Sequence, residues 1–150
     1  IGHILANRQE TDKCGCGKKG CLEQYASATG IARLARIRLA KNNDMTLLRG
    51  QEITAKAVFD ALKEGDKVAE EIVEEFGAYL GYALADVAAV IDPSMFIIGG
   101  GVSKAGPIII QYVKKYFLEK AFFANEGTEF IIAVLGNEAG ICGAAKLILG

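Results

Sequence analysis

The sequence predicts an α/β domain in which two short apolar strands pair in parallel. We expect both strands to be buried: the first is Met-Phe-Ile-Ile at residues 95–98, and the second is Phe-Ile-Ile-Ala-Val-Leu at residues 130–135. Each run precedes a segment with helical periodicity, and that order of elements is typical of parallel pairing. The predicted helices outnumber the strands. We therefore expect the two strands to be part of a larger sheet whose other strands lie upstream.

Apolar residues at helical spacing predict three helices before the strands. They cover about residues 22–41, 54–62 and 66–90. Thr54 is a good N-cap for the second helix, and Pro93 cannot continue the third. The third is the longest, and its apolar residues recur at every fourth position: Val68, Ile72, Phe76, Leu80 and Leu84.

Two more helices are predicted after the first strand. One begins at Pro107 and continues through Phe117, and the other closes the chain at residues 139–149. Cys142 lies in this apolar closing helix, where we expect a buried thiol. Gly77 and Gly81 form a small-residue stripe on the longest helix, and we interpret them as a place where another element packs closely.

Composition limits the range of functions. The chain has 150 residues, of which 51% are hydrophobic and 23% charged, as expected for one well-packed domain. The net charge of −1 offers no basic face for nucleic acid. No apolar run approaches the ~20 residues of a membrane span, and no signal peptide is visible. We therefore expect a cytoplasmic protein without nucleic-acid or membrane partners through this chain.

The most specific feature is the segment Cys-Gly-Cys-Gly-Lys-Lys-Gly-Cys, which contains Cys14, Cys16 and Cys21. His3, the single histidine, lies eleven residues before it. Three thiols and one imidazole form a standard set of ligands for a structural zinc ion. Alternatives are a disulfide with spare thiols or inert buried cysteines, whereas the histidine and the short spacing argue against an iron–sulfur cluster. We predict zinc.

Glu23 follows the last cysteine of this segment by two residues and opens the predicted helix 22–41. A carboxylate there is favoured by the helix dipole and held near the metal. Together with His3 it would form a polar pair suited to binding hydroxyl groups. The alternative is that Glu23 is simply a residue at a helix N-terminus, with no role in binding.

Gly99, Gly100 and Gly101 follow the first strand, where ligands bind in open α/β sheets. The glycines would let the backbone approach a ligand closely, although they are also consistent with a simple turn. Asn137 opens the closing helix and could reach the same ligand or serve only as part of a cap. The chain has no Walker A or GxGxxG pattern.

Five segments together resemble the ROK family of sugar kinases and repressors, and within it the bacterial ATP-dependent glucokinases. They are Gly2-His3, CGCGKKGCLE at 14–23, QYASATGI at 24–31, IIGGGVS at 97–103 and LGNEAGICGAA at 135–145. The resemblance covers essentially the whole chain. It implies the C-terminal lobe of an actin/hexokinase/ribonuclease H-like ATPase fold, with residues 1–23 as a zinc and sugar loop.

The family's functional residues match several positions here. Its zinc ligands correspond to His3, Cys14, Cys16 and Cys21, and its sugar-contacting residues to His3 and Glu23. Its adenosine-binding glycines correspond to Gly99, Gly100 and Gly101. The resemblance implies transfer of a phosphoryl group from ATP, with Mg²⁺, to the 6-hydroxyl of glucose. It also implies a homodimer.

Three features of the family have no match in the chain. They are the general-base aspartate, a glycine-rich phosphate segment and a second sugar-binding glutamate. We therefore expect a C-terminal lobe that is inactive alone, with the N-terminal lobe absent. A sugar-sensing transcriptional repressor, and a kinase for fructose, mannose or an N-acetylhexosamine, are the alternatives.

Overall fold

The computed structural model describes residues 1–134 and 139–149. Turns and isolated bridges fill the chain before residue 23. The described helices and strands are α1 (Glu23–Ala26), α2 (Ala28–Lys41), α3 (Ala55–Lys63), α4 (Lys67–Ile91), β1 (Met95–Ile98), α5 (Ile108–Lys120), β2 (Glu129–Ile132) and α6 (Ala139–Leu149), with short 3₁₀ helices at Gly101–Ala105 and Phe123–Asn125. The predicted α/β order of elements is confirmed.

Strands β1 and β2 pair in parallel, with Met95 opposite Glu129 and Ile98 opposite Ile132. One face of this pair packs on Phe117 of α5, whose ring centroid lies 5.0 Å from that of Phe130. The other face is not covered by described residues, and Ile97 is 64% exposed. The prediction of fully buried strands is therefore wrong for one face. The second strand is also shorter than predicted.

Helix α4 is the centre of the core. Asp66 caps its N-terminus by accepting a hydrogen bond from the Ala69 amide. Asp92 follows its last residue in the left-handed conformation (φ 45°), and the predicted end of the helix before Pro93 is confirmed. The predicted apolar stripe is buried except for Leu80, which is half-buried, and it packs against α1, α2, α3 and α5.

The predicted helix 22–41 is two helices in the structure. Ser27 takes an extended conformation between them (φ −97°, ψ 169°). Its hydroxyl accepts a hydrogen bond of 2.9 Å from the Gly30 amide and so caps α2. Continuous helical periodicity concealed this break, because serine is tolerated inside a helix as well as at its start.

Helix α6 differs from expectation in its burial. No residue of α6 is buried, and Cys142 is exposed, so the prediction of a buried thiol is wrong. The reason is that the apolar residues of α6 pack against nothing within the described ranges that covers them. None of the described helices is both long and apolar enough to cross a membrane.

Gly81 lies where α4 crosses α5, as the small-residue stripe predicts. A Cβ atom added to Gly81 would lie 2.6 Å from the carbonyl oxygen of Val113 and 2.8 Å from the amide nitrogen of Phe117. Both contacts are to backbone, which cannot rotate away as a side chain can. The two helices can approach this closely only without a side chain at residue 81.

We expect Gly81→Ala to destabilise the fold by about 1–3 kcal/mol, because overpacking outweighs the better helix propensity of alanine. Urea unfolding measures this loss. Gly127→Ala is the control, since a Cβ atom there meets nothing within 4 Å. An unchanged midpoint for Gly81→Ala would contradict the close packing of α4 on α5.

Candidate metal centre and neighbouring clefts

The structure brings the four predicted metal ligands together. The ligand atoms of His3, Cys14, Cys16 and Cys21 all lie within 4.8 Å of one another. The sulfurs of Cys16 and Cys21 are 3.5 Å apart, and His3 Nδ1 is 3.8 Å from the sulfur of Cys14. A tetrahedral zinc ion with Zn–S bonds of about 2.3 Å places its sulfur ligands roughly 3.8 Å apart. The cysteines are free rather than disulfide-bonded, so this donor set fits zinc.

A tight hairpin carries two of the cysteines. Lys13 pairs with Lys19 in an antiparallel bridge, and the Cys14 amide donates a 2.7 Å hydrogen bond to the carbonyl of Lys18. The Gly17 amide donates in turn to the Cys14 carbonyl at 2.8 Å. We call residues 13–21 the knuckle. These backbone hydrogen bonds fix the course of the hairpin and so bring its cysteines close together.

Gly20 joins the knuckle to the segment before it. Its carbonyl accepts hydrogen bonds from the amides of Ala6 and Asn7, and its φ of 74° lies in the region that favours glycine. A Cβ atom on Gly20 would lie 1.9 Å from the carbonyl oxygen of Asn7. The position therefore requires glycine for both conformation and space.

The electrostatics of the sulfurs favour a cation. Burial raises the pKa of Cys21 to about 12, and hydrogen bonding with Cys16 and Cys14 contributes in the same direction. A backbone hydrogen bond from Lys18 lowers the pKa of Cys16. Three thiolates this close repel one another, so their joint deprotonation requires a positive charge among them.

Glu23 lies at the edge of this cluster. Its Oε2 is 3.4 Å from His3 Nδ1 and 3.8 Å from the sulfur of Cys14. The side chains of His3 and Glu23 are partly open to solvent. They line one cleft of ≈ 300 Å³ together with Ala26, Ser27 and Leu80. The predicted pairing of His3 with Glu23 is thus present. The predicted stabilisation of Glu23 by a helix dipole is wrong, because α1 has only 4 residues.

A partly buried network lies under α1, and no local pattern in the sequence indicates it. The Glu10 carboxylate accepts hydrogen bonds from the Tyr25 hydroxyl and the Arg33 guanidinium, and Arg33 also pairs with Asp12 at 2.8 Å. The Tyr25 ring stacks on Tyr79 of α4 with centroids 3.9 Å apart. This network ties the segment before the knuckle to α2 and α4. Arg33 is held in this network, and only 23% of its side chain is exposed.

The predicted glycine turn follows β1. Gly100 has a φ of 76° and precedes the 3₁₀ helix Gly101–Ala105, and its carbonyl accepts a 2.7 Å hydrogen bond from the Ser103 hydroxyl. Gly101 lines a cleft of ≈ 270 Å³, whereas Gly99 and Gly100 do not line it. Asn137 lies outside the described residues.

The far wall of this cleft is α3, which sequence analysis did not connect with the glycine turn. The floor of the cleft is formed by the buried Phe59 and Val102, with the half-buried Ala55 and Ala105 beside them. Asp60 pairs with Lys56 and Lys63 along the α3 side. Lys104 adds a further positive charge from the turn. Helical spacing places Phe59 and its charged neighbours on adjacent faces, but no local signal indicates which distant segment they meet.

The first turn of α2 joins the two candidate sites. The Ser27 hydroxyl donates a 2.7 Å hydrogen bond to the Glu23 carbonyl. A Cβ atom on Gly101 would lie 3.3 Å from the Cβ of Ala28. The glycine turn and the Glu23 cleft therefore lie on either side of the same short piece of backbone.

Comparisons with known proteins agree on one family. The model of the ROK family matches residues 1–150. The glucokinase of Halalkalibacterium halodurans is 40% identical over 99% of this chain, which covers 46% of that protein. The DNA-binding transcriptional repressor Mlc of Escherichia coli K12 is 33% identical over 85% of this chain, covering 34% of the repressor. The chain spans about half or less of the length of these relatives.

A solved structure has the same architecture. The ROK family glucokinase from Streptomyces griseus, in complex with glucose and AMPPNP, superposes with a TM-score of 0.85 and 36% identity. The match covers 97% of this chain and 49% of that protein. The actin/hexokinase-like fold implied by the sequence is therefore confirmed.

The network under α1 predicts a pH-dependent stability. Burial raises the pKa of Glu10, but hydrogen bonds from Tyr25, the Asp12 amide and Arg33 outweigh it and lower this pKa to about 2 from 4.5. A carboxyl with a depressed pKa in the fold stabilises it above the unfolded pKa. This stabilisation is lost as the pH falls from about 4.5 towards 2.

We expect Glu10→Gln to cost about 1–3 kcal/mol of unfolding free energy at pH 7 and less at pH 3. Urea unfolding of the wild type and of Glu10→Gln at each pH gives the difference in their unfolding free energies. Effects of acid that are common to the two proteins cancel in this difference. Glu52→Gln removes the same charge at an exposed position and serves as the control. An equal loss at both pH values would show that the Glu10 charge contributes nothing.

Proposed function

Because the chain belongs to the ROK family, we propose that it supplies the sugar loop and the nucleotide wall of an ATP-dependent hexose kinase acting on glucose. The observation that carries this proposal is the meeting of His3 and Glu23 at a cleft beside the metal ligands. Residues 1–150 would form one C-terminal lobe, with residues 1–23 as the zinc and sugar loop.

Zinc is the metal that we propose for His3, Cys14, Cys16 and Cys21. All four positions are occupied by protein donors, which is typical of a structural rather than a catalytic site. The bound ion would supply the positive charge that three thiolates need and would fix the knuckle. Its consequence for function is indirect, because it would hold His3 and Glu23 at a constant distance.

The sugar would bind at the cleft that His3 and Glu23 share. A carboxylate accepts hydrogen bonds from two hydroxyls, and such charge-assisted bonds are roughly twice as strong as neutral ones. The imidazole can contribute one ring nitrogen while the other coordinates the metal. Glu23 is well braced, because its amide donates a 2.8 Å hydrogen bond to the Gly2 carbonyl.

The nucleotide would bind at the cleft between α3 and the glycine turn. The half-buried Ala55 and Ala105 offer apolar surface for a base, and Lys56, Lys63 and Lys104 offer positive charge for phosphates. We propose Gly99, Gly100, Gly101 and Asn137 as the adenosine-binding residues, although of the three glycines only Gly101 lines this cleft. Mg²⁺ would be bound to the ATP phosphates.

The proposed reaction moves the γ-phosphoryl group of ATP to the 6-hydroxyl of glucose, releasing ADP. Such transfer depends mainly on positioning and charge stabilisation. This chain would orient the sugar and the nucleotide. A general-base aspartate outside the chain would accept the hydroxyl proton, so these 150 residues alone should be inactive.

We assign the enzyme to the cytoplasm, where reducing conditions keep thiols available as metal ligands. A homodimer and a role in glycolysis follow from the family resemblance alone.

A sugar-sensing repressor is the second candidate, and the similarity to Mlc favours it. A repressor and a kinase could share the zinc and sugar loop. Only the kinase needs a nucleotide cleft, so the open cleft beside Gly101 favours the kinase. Fructose, mannose and N-acetylhexosamines are the alternative substrates.

We predict one zinc ion per chain. Cys16→Ala should lose it, whereas Cys142→Ala, which changes an exposed thiol in α6, should keep it. Elemental analysis gives the metal content. A chelator should lower the melting temperature of the wild type and of Cys142→Ala but not of Cys16→Ala, because metal binding is linked to folding. A folded wild type without metal, or zinc loss on changing Cys142, would contradict the ligand set.

We predict that Glu23→Gln in the full-length gene product lowers kcat/KM for glucose by roughly 10- to 150-fold, equivalent to about 1.5–3 kcal/mol for a hydrogen bond to a charged group. Zinc content and the KM for ATP should stay unchanged. Coupled assays of ADP release with glucose, fructose, mannose and N-acetylated hexosamines measure both the activity and the preferred sugar.

Glu126→Gln is the control for this variant, since Glu126 is an exposed carboxylate beyond α5. Unchanged glucose kinetics for Glu23→Gln would remove Glu23 from the sugar site. A full-length protein that phosphorylates no sugar but binds DNA in a sugar-dependent way would overturn the kinase in favour of the repressor.

A further inference from the structure

The side-chain amide of Gln24 joins the last residue of the knuckle, Cys21, to Asp12, the residue just before the knuckle. Its Oε1 accepts a 3.1 Å hydrogen bond from the Cys21 amide, and its Nε2 donates a 3.1 Å hydrogen bond to the Asp12 carbonyl. Only 8% of the residue is exposed. The oxygen and the nitrogen of this buried amide thus both bond to backbone groups. One group belongs to the proposed ligand Cys21, and the other belongs to Asp12, two residues before the proposed ligand Cys14.

The position of Gln24 in α1 means that these contacts connect the knuckle with the helix that carries Glu23. It follows Glu23 directly in α1, and Glu23 is fixed at its own amide by Gly2. The hairpin bonds inside the knuckle hold its two arms to each other, but they do not orient the knuckle relative to α1. The Gln24 side chain contributes to that orientation, because it bonds to Asp12 just before the knuckle and to the Cys21 amide at its end. It acts beside the 3.0 Å hydrogen bond from the Gln24 backbone amide to the Cys21 carbonyl.

Glutamine suits this position on chemical grounds. The Cys21 amide needs an acceptor and the Asp12 carbonyl needs a donor, and a primary amide supplies one of each at a fixed distance. An apolar side chain would leave both backbone groups without this partner. Partners of metal ligands orient those ligands, and their loss typically lowers metal affinity by about 10- to 100-fold.

We propose that Gln24 is a positioning residue that aligns the metal ligands Cys14 and Cys21 with the carboxylate of Glu23. This inference rests on the proposed metal and sugar sites. It differs from a general contribution to stability, because it links the side chain to metal affinity and to the use of glucose but not to the use of ATP.

Gln24→Met tests the inference, since it keeps the approximate size and removes both hydrogen bonds. Asn125→Leu is the matched control: Asn125 is a buried amide, 4% exposed, that donates a 2.7 Å hydrogen bond to Asp92 near the start of β1. Competition with a chromophoric chelator measures the zinc affinity of each protein. Steady-state kinetics of the full-length gene product measure the KM values for glucose and ATP.

We expect Gln24→Met to weaken zinc binding by about 10- to 100-fold and to raise the KM for glucose with little change in the KM for ATP. Asn125→Leu should lower the melting temperature and leave zinc affinity and both KM values near those of the wild type. Gln24→Ala, which leaves room for water at both backbone groups, replaces Gln24→Met if that variant does not fold.

Three results would overturn the inference. In the first, Gln24 variants lose stability as Asn125→Leu does but keep zinc affinity and the KM for glucose. In the second, neither Gln24 variant folds, which makes the residue a requirement of the fold instead. In the third, the wild type binds no zinc, so the proposed metal site is wrong and the role of Gln24 with it. The first two leave the proposed function intact.

Discussion

Burial of the α4 stripe is the constraint on which the rest of the structure depends. Helix α4 packs against α1, α2, α3 and α5, and Phe76 at its middle is fully buried. Burying one such side chain contributes about 1.5–3 kcal/mol. The approach of α5 at Gly81 places Phe117 under the strands, and the stacking of Tyr79 on Tyr25 places α1. Both candidate sites are therefore positioned by contacts to one helix.

The cluster of candidate metal ligands lies beside this core rather than within it. The knuckle rests on backbone hydrogen bonds at Cys14 and Gly20 and on the side-chain network of Glu10, Tyr25 and Arg33. Those contacts bring the ligand atoms near one another, and a metal would then add its own binding energy to an arrangement that is already partly formed. Pre-arrangement of this kind lowers the entropic cost of binding.

Elements governed by local rules could be predicted from the sequence, whereas sites between distant segments could not. Thr54 at a helix start and Asp92 at a helix end act through neighbouring residues, so α3 and α4 were predicted nearly to the residue. The ligand cluster has a short, specific spacing and was also predicted. Gln24, Glu10 and Phe59 were missed because each acts on a segment whose approach is set by tertiary packing. The break at Ser27 was missed because helix 22–41 has apolar periodicity on both sides of it.

The placement of the two clefts has a mechanical consequence for the proposed kinase. Phosphoryl transfer needs the acceptor hydroxyl and the γ-phosphoryl group held in line, and an error of about 1 Å can cost ~10²-fold in rate. Ser27 donates a hydrogen bond to the Glu23 carbonyl, and Gly101 lies close enough to Ala28 that a Cβ atom on Gly101 would be 3.3 Å from the Cβ of Ala28, so both clefts adjoin the start of α2. Regular elements place functional groups more precisely than loops do. The start of α2 would thus hold the proposed sugar and nucleotide clefts at a constant distance from each other.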